Sequence, residues 1–201
     1  MTIDFSSPAL LLLLAAYLLG SVSSAVLVCH ALGLNDPRSL GSKNPGATNV
    51  WRTGSHRAGV ITLAADLFKG ALPVWLAQRL ELDLSNMALC GLSAMLGHLY
   101  PLYFKFRGGK GVATLIGACL VLQPLLVLCQ IGLWLLLAGL LRRSSPASLV
   151  MTLATPLLYW WLPPSDPPAL SLAILTLMSL LVILRHRTNI HKLLQGEESR
   201  L

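Results

Sequence analysis

The chain has 201 residues, 55% of them hydrophobic and 11% charged, with a formal net charge of +7 and a mean hydropathy of +0.69. That composition excludes a soluble globular enzyme and points to a polytopic membrane protein, an all-α helix bundle in a single domain over 1–201. Nor is the positive charge a nucleic-acid footprint, because the cations sit between the apolar runs. The four cysteines (Cys29, Cys90, Cys119, Cys129) lie in or beside apolar runs and form no Cys-x-x-Cys pair. Neither a disulfide framework nor a zinc site is expected, and no metal or cofactor is implied.

The first apolar run, Pro8–Val28, follows Asp4 with no cation before it and is too long for a signal-peptide core. A retained first span is expected over Pro8–Leu32. A polar loop, Gly33–Arg57, leads to span 2 at Ala58–Leu80. The short link Glu81–Ser85 precedes span 3 at Asn86–Phe104. A glycine-rich loop follows, then an apolar stretch over Val112–Leu141 that is broken at Gln123-Pro124. After Arg142-Arg143-Ser144-Ser145, span 6 is expected at Pro146–Leu162. Pro163–Pro168, which includes Asp166, is a rigid turn, and span 7 runs over Ala169–Leu184 before a polar tail, Arg185–Leu201.

All of the fifteen Lys and Arg except Lys69 and Arg79 fall in four segments: the 33–57 loop, the glycine loop, Arg142-Arg143 and the tail. Positive segments stay on the cytoplasmic side, which puts the N-terminus outside and the C-terminus in the cytoplasm. The glycine loop and Arg142-Arg143 then share a side, so an even number of crossings separates them. Val112–Leu141 would make about 45 Å of continuous helix, long for one span and short for two. Two short helices are expected there, for a total of about seven transmembrane helices.

Three segments carry chemistry. Lys105-Phe106-Arg107-Gly108-Gly109-Lys110-Gly111-Val112-Ala113-Thr114 places glycines and cations at the start of a helix, a good receptor for a phosphate. It is not a nucleotide P-loop, because Phe104 and Gly111 stand where a glycine and a Ser or Thr are required. The second segment, Gly41-Ser42-Lys43-Asn44-Pro45-Gly46-Ala47-Thr48-Asn49-Val50-Trp51-Arg52, offers hydroxyl, amide and guanidinium groups among small residues. That suits a small polyol or phosphate; the alternative is a connector rich in turn formers. The third, Arg185–Glu198, puts His186 and Asn189 on one helix face; a basic end that anchors the helix in the membrane explains the arginines but not that pair. Within span 2, Asp66 and Lys69 also share a face and are costly in lipid unless paired. An ion pair that locks packing and a site role both remain open. For His98, at the end of span 3, a hydrogen bond to backbone is the ordinary role.

Together these segments resemble the PlsY family, the bacterial acyl-phosphate:glycerol-3-phosphate acyltransferases. Gly41–Arg52 is similar to the family's Ser-Gly-Asn-x-Gly-Ala-Thr-Asn-x-x-Arg motif, and Gly97–Thr114 and Arg185–Glu197 follow in order. Lys43 departs from the pattern, which usually has Gly there. The resemblance implies a seven-helix inner-membrane enzyme with its site at the cytoplasmic face. It implies transfer of an acyl group from acyl phosphate to sn-glycerol 3-phosphate, giving lysophosphatidate and phosphate, the first acylation of phospholipid synthesis. It also allows contact with the enzyme that supplies acyl phosphate. Lys110, His186, Arg52 and Ser42 become the catalytic candidates. Asn44, Thr48, Asn49, Gly108, Gly109, Gly111, Thr114, Ser144, Ser145, Asn189 and Glu197 become the substrate-binding ones. Because acyl phosphate is already activated, catalysis is expected from positioning and electrostatic stabilisation with no essential protein base. His186 is the titratable group nearest neutrality at that site. Two rivals are a transporter of small organic phosphates and an acyltransferase that uses acyl-CoA or acyl carrier protein. The second is disfavoured because no histidine is followed five residues later by Asp.

Overall fold

The computed structural model describes residues 7–53, 55–165 and 167–199; Asp4, Asp166 and Arg200 of the charge pattern lie outside them. Among the described residues every regular element is helical: α1 (Ser7–Gly20), α2 (Ser24–Ala31), α3 (Ala47–Arg52), α4 (His56–Arg79), α5 (Leu84–Leu99), α6 (Val112–Leu122), α7 (Pro124–Leu141), α8 (Ser144–Trp161), α9 (Ala169–Arg185) and α10 (Arg187–Leu194), with a 3-10 turn at Leu102–Phe104.

The apolar runs become helices where the hydropathy pattern puts them, with one exception. Span 1 is not continuous: α1 and α2 meet at a break of Ser21–Ser23, bent by 46°. Ser21 Oγ donates back to Tyr17 O at 2.8 Å, and the Val22 carbonyl, freed from the helix ladder, accepts from Lys69 Nζ at 3.0 Å. A small-residue step lets the chain turn, and a buried lysine satisfies the exposed carbonyl. The break at Gln123 is present, with Pro124 opening α7 where its missing N–H costs nothing. The 11 residues of α6 reach about 16 Å, roughly half a hydrocarbon core. By length and apolarity α4, α5 with its trailing turn, and α7 each suffice to cross a bilayer. The count rises to five if the bent pairs α1–α2 and α9–α10 are each one span.

α5 lies in the middle, against α1, α4, α6 and α9. Met95, Leu99, Leu115, Tyr159, Leu175 and Met178 are fully buried around it. α4 and α6 approach almost to backbone contact: a β-carbon on Gly70 would overlap Thr114, and one on Gly117 would overlap Leu67. Small residues at such crossings are how helices associate without a hydrophobic drive from lipid. Leu128, Leu140, Leu157, Trp160 and Trp161 are exposed on the outer faces, an apolar surface suited to lipid rather than water.

Candidate active site

At one end of the bundle the 33–53 loop with α3, the glycine loop, the start of α8 and the α9–α10 corner converge. The two loops and the α9–α10 corner enclose an open groove of about 1910 Å³, with the start of α8 behind its wall. Its wall includes Ser42, Asn44 and Arg52 from the first segment, Gly108 and Lys110 from the second, and Arg185, Asn189 and Glu198 from the third. Segments far apart in the chain, each polar at the end of an apolar run, are thus brought into one site.

The first segment is organised around Asn49, which is buried. Its Nδ2 donates to Pro37 O at 2.8 Å and Leu40 O at 3.1 Å, and its Oδ1 accepts from the Ser42 N–H at 2.9 Å. Asn49 therefore shapes the loop, and its amide is used up in doing so. Ser42 is exposed at the rim and Asn44 half-buried beside it. Lys43 adopts φ +58°, the left-handed region that glycine enters without cost. That geometry is the reason a glycine suits this position. The Arg52 guanidinium donates from Nη2 to Ser199 O at 3.0 Å, while its buried Nε has no acceptor among the described residues. A buried, unanswered N–H on a guanidinium is a ready donor to an anion.

The glycine loop is pinned from two sides. The Gly109 N–H donates to His98 O at 3.0 Å, so it is not free for a ligand. The Gly108 and Gly109 carbonyls accept from Arg185 Nη2 and Nε at 2.8 and 3.1 Å. A β-carbon on Gly109 would overlap the His98 ring, so glycine is needed there for close approach. Gly111 sits at φ +89° against Met95 and Leu99 and caps α6. The N–H groups of Lys110 and Gly111 have no backbone acceptor among the described residues. Gly108 and Lys110 thus face the groove, whereas Gly109 and Gly111 turn into the bundle. Thr114 is fully buried at the α4–α6 contact, outside the groove wall.

From the third segment, His186 is 2% exposed, with Nδ1 at 2.8 Å from the Val182 carbonyl. Only an Nδ1–H satisfies that carbonyl, which leaves Nε2 as the acceptor. Burial lowers His186 to about 4, and the Lys110 charge adds to this against the Val182 bond and Glu198. The nearly neutral titration expected of it is therefore corrected: the imidazole is uncharged throughout the physiological range. Burial also lowers the Lys110 ammonium to about 8. Glu198 opposes that shift, while Arg52, Arg185 and Lys192 reinforce it.

Asn189 Nδ2 donates to Ser145 Oγ at 2.9 Å and to both Glu198 oxygens at 3.0 and 3.1 Å, and Ser145 Oγ donates to Glu198. Thr48 Oγ1 lies 3.5 Å from Ser144 Oγ, tying the first segment to the start of α8. Glu197 points into solvent, and the buried tail carboxylate is its neighbour Glu198, 5% exposed. Two adjacent glutamates after Gly196 are indistinguishable without the tail's fold. Arg185 is the other residue that sequence reasoning missed, since an arginine at a span end looks like an anchor.

The arrangement holds cations around one groove, with the His186 imidazole buried behind its wall, a receptor for phosphate esters beside an apolar bundle. The family model described as glycerol-3-phosphate acyltransferase matches residues 10–196. Glycerol-3-phosphate acyltransferases of Shewanella oneidensis and Burkholderia pseudomallei are 47% and 50% identical over 192 and 193 residues. Each alignment covers 96% of this chain and 92% or 95% of the relative. Two crystal structures of PlsY, an integral membrane glycerol 3-phosphate acyltransferase, share the fold. The glycerol 3-phosphate form has a TM-score of 0.91 at 35% identity, and the lysophosphatidic acid form 0.89 at 34%. Both comparisons cover 97% of this chain and 96% of the solved one.

Proposed function

Since this chain belongs to the glycerol-3-phosphate acyltransferase family, we propose that it transfers an acyl group from acyl phosphate to sn-glycerol 3-phosphate. The products are 1-acyl-glycerol 3-phosphate and inorganic phosphate. The observation that carries this is the groove itself: Lys110, Arg52 and Arg185 meet at the end of a lipid-facing bundle. Both substrates are phosphates, and the acyl chain can remain in lipid while its head reaches the groove. The hydroxyl oxygen of glycerol 3-phosphate attacks the acyl carbonyl, the carbon–oxygen bond to phosphate breaks, and the proton ends on the departing phosphate. The Lys110 ammonium and the Lys110 N–H stabilise the charge that develops. Arg52 and Ser42 hold glycerol 3-phosphate, and neutral His186 accepts from its hydroxyl through Nε2 and orients it. Asn189, Ser145 and Glu198 shape the wall. On this account the groove faces the cytoplasm of a bacterial inner-membrane protein, with about seven helices, counting α6 and α7 as separate elements, and the N-terminus outside.

The test is purified protein in detergent with glycerol 3-phosphate and each donor in turn. Acyl phosphate supports turnover, whereas acyl-CoA and acyl carrier protein give none; equal rates with acyl-CoA would move the chain to another donor class. Single cysteines at Ser42 and Ser144 in a cysteine-free background resist a membrane-impermeant thiol reagent in intact cells, and one at Ser165 reacts. Labelling at Ser144 from outside would refute the two short helices over 112–141.

A further inference from the structure

Buried between α4 and α5, on the side of the glycine loop away from the groove, lies a second polar cluster. Lys69 Nζ is 2.8 Å from Asp66 Oδ1 and donates to Val22 O, in the break between α1 and α2. His98 Nδ1 is 3.5 Å from the same carboxylate oxygen. All three side chains are at least nine-tenths buried. The opposite edge of the His98 ring abuts Gly109, and the His98 carbonyl accepts the Gly109 N–H. Lys69, His98, Gly108 and Gly109 also wall one small cleft together with Val22 and Pro45, the last of which belongs to the first segment.

We infer that Asp66, Lys69 and His98 are positioning residues for phosphate-ester transfer, setting the height and tilt of the glycine loop from behind. Gly108 and Gly109 have no side chains and the local turn bonds end at Arg107, so the place of the glycines is dictated by what they lean on. In front they lean on Arg185; behind they lean on the His98 ring. That ring faces a carboxylate 3.5 Å from its far edge, and the carboxylate is paired with a lysine tied to another helix. A buried ion pair is a costly way to pack two helix turns, and apolar replacements are often as stable or more so. A pair kept in this place, one ring away from Gly109, is accounted for by orientation. Displacement of a reacting group by about 1 Å costs about 10²-fold in rate. The inference rests on the acyl-phosphate assignment above.

The test uses the full-length protein in detergent. Asp66→Leu/Lys69→Met removes both charges and keeps similar volumes. Its thermal midpoint falls by only the few degrees that the unanswered Val22 carbonyl costs, kcat/KM for glycerol 3-phosphate falls about 10²-fold, and deuterium uptake rises severalfold in the peptide over 105–111 but not in α7 or α8. Unchanged activity and uptake would overturn the inference, as would a general rise in uptake with a midpoint lowered further than that, the mark of a merely structural pair. If the double variant does not fold, His98 decides. His98→Ala lowers kcat/KM and loosens the loop, and His98→Asn, whose amide reproduces Nδ1, restores part of both. Identical behaviour of the two would overturn the inference. If the unaltered protein shows no turnover with acyl phosphate, the donor assignment falls and loop uptake still decides the positioning role.

Discussion

The two loops that face each other across the groove are built in opposite ways. The 33–53 loop carries its own scaffold. Asn49 spends its whole amide on three neighbours within twelve residues, so the loop is a local structure that travels with its sequence. The glycine stretch 108–111 is held from outside, by His98 of α5 and Arg185 of α9, while local turn bonds secure only the residues before it. A loop with an internal scaffold shows in the sequence as polar side chains at turn spacing. One positioned by distant elements shows only as glycines.

That contrast can be attacked at each loop. Lys110→Met, which removes the charge the glycine loop delivers to the groove, is expected to lower kcat/KM by about 10³-fold, the upper range for loss of one stabilising donor. Steady-state kinetics with acyl phosphate check this; a loss below tenfold would place the phosphate elsewhere. Next in size is Gly109→Ala, whose methyl meets the His98 ring and shifts the loop. A fall of about 10²-fold in kcat/KM with a nearly unchanged thermal midpoint is expected. Asn49→Ala attacks the other loop and should behave differently. It strands two carbonyls and an N–H, costs about 2–3 kcal/mol of local stability, and raises KM for glycerol 3-phosphate about tenfold with little change in kcat. Equal kcat losses for Gly109→Ala and Asn49→Ala would erase the distinction.

The pH dependence sharpens the same comparison. Burial holds Lys110 near 8, so its charge is complete below that pH and lost above it. In the free enzyme kcat/KM should fall as pH rises through about 8, and Lys110→Arg should carry the plateau to higher pH. His186, lowered to about 4, is already neutral from about pH 5 upward and adds no limb in the neutral range. An acid limb near 6.5 that disappears in His186→Asn would return it to the role of a proton acceptor. The smallest effect is at Lys43→Gly, which releases a left-handed residue in the self-scaffolded loop. Stability should rise by up to about 1 kcal/mol with kcat unchanged; a drop in stability would mean the lysine side chain holds the rim.

Sequence alone determined the helices and the residue types at the site, because both follow from local chemistry. Runs too apolar for water must become helix in lipid, a proline opens α7, and cations with glycines mark where the runs stop. Order and composition marked the three segments that converge, with Ser42, Arg52, Lys110 and Asn189 on the groove wall, and the family resemblance suggested their roles. The tertiary structure decided how those residues are used. It broke the first span at Ser21–Ser23, because Lys69 of a distant helix satisfies the freed Val22 carbonyl. It turned Asn49 into scaffold, chose Glu198 over Glu197 because the tail's return buries one and exposes the other, and recruited Arg185 as a brace. It also made His186 neutral, since an imidazole's charge depends on burial and on a lysine far away in the chain. Each of these outcomes depends on a partner brought from elsewhere in the fold, and no local pattern encodes which partner will arrive.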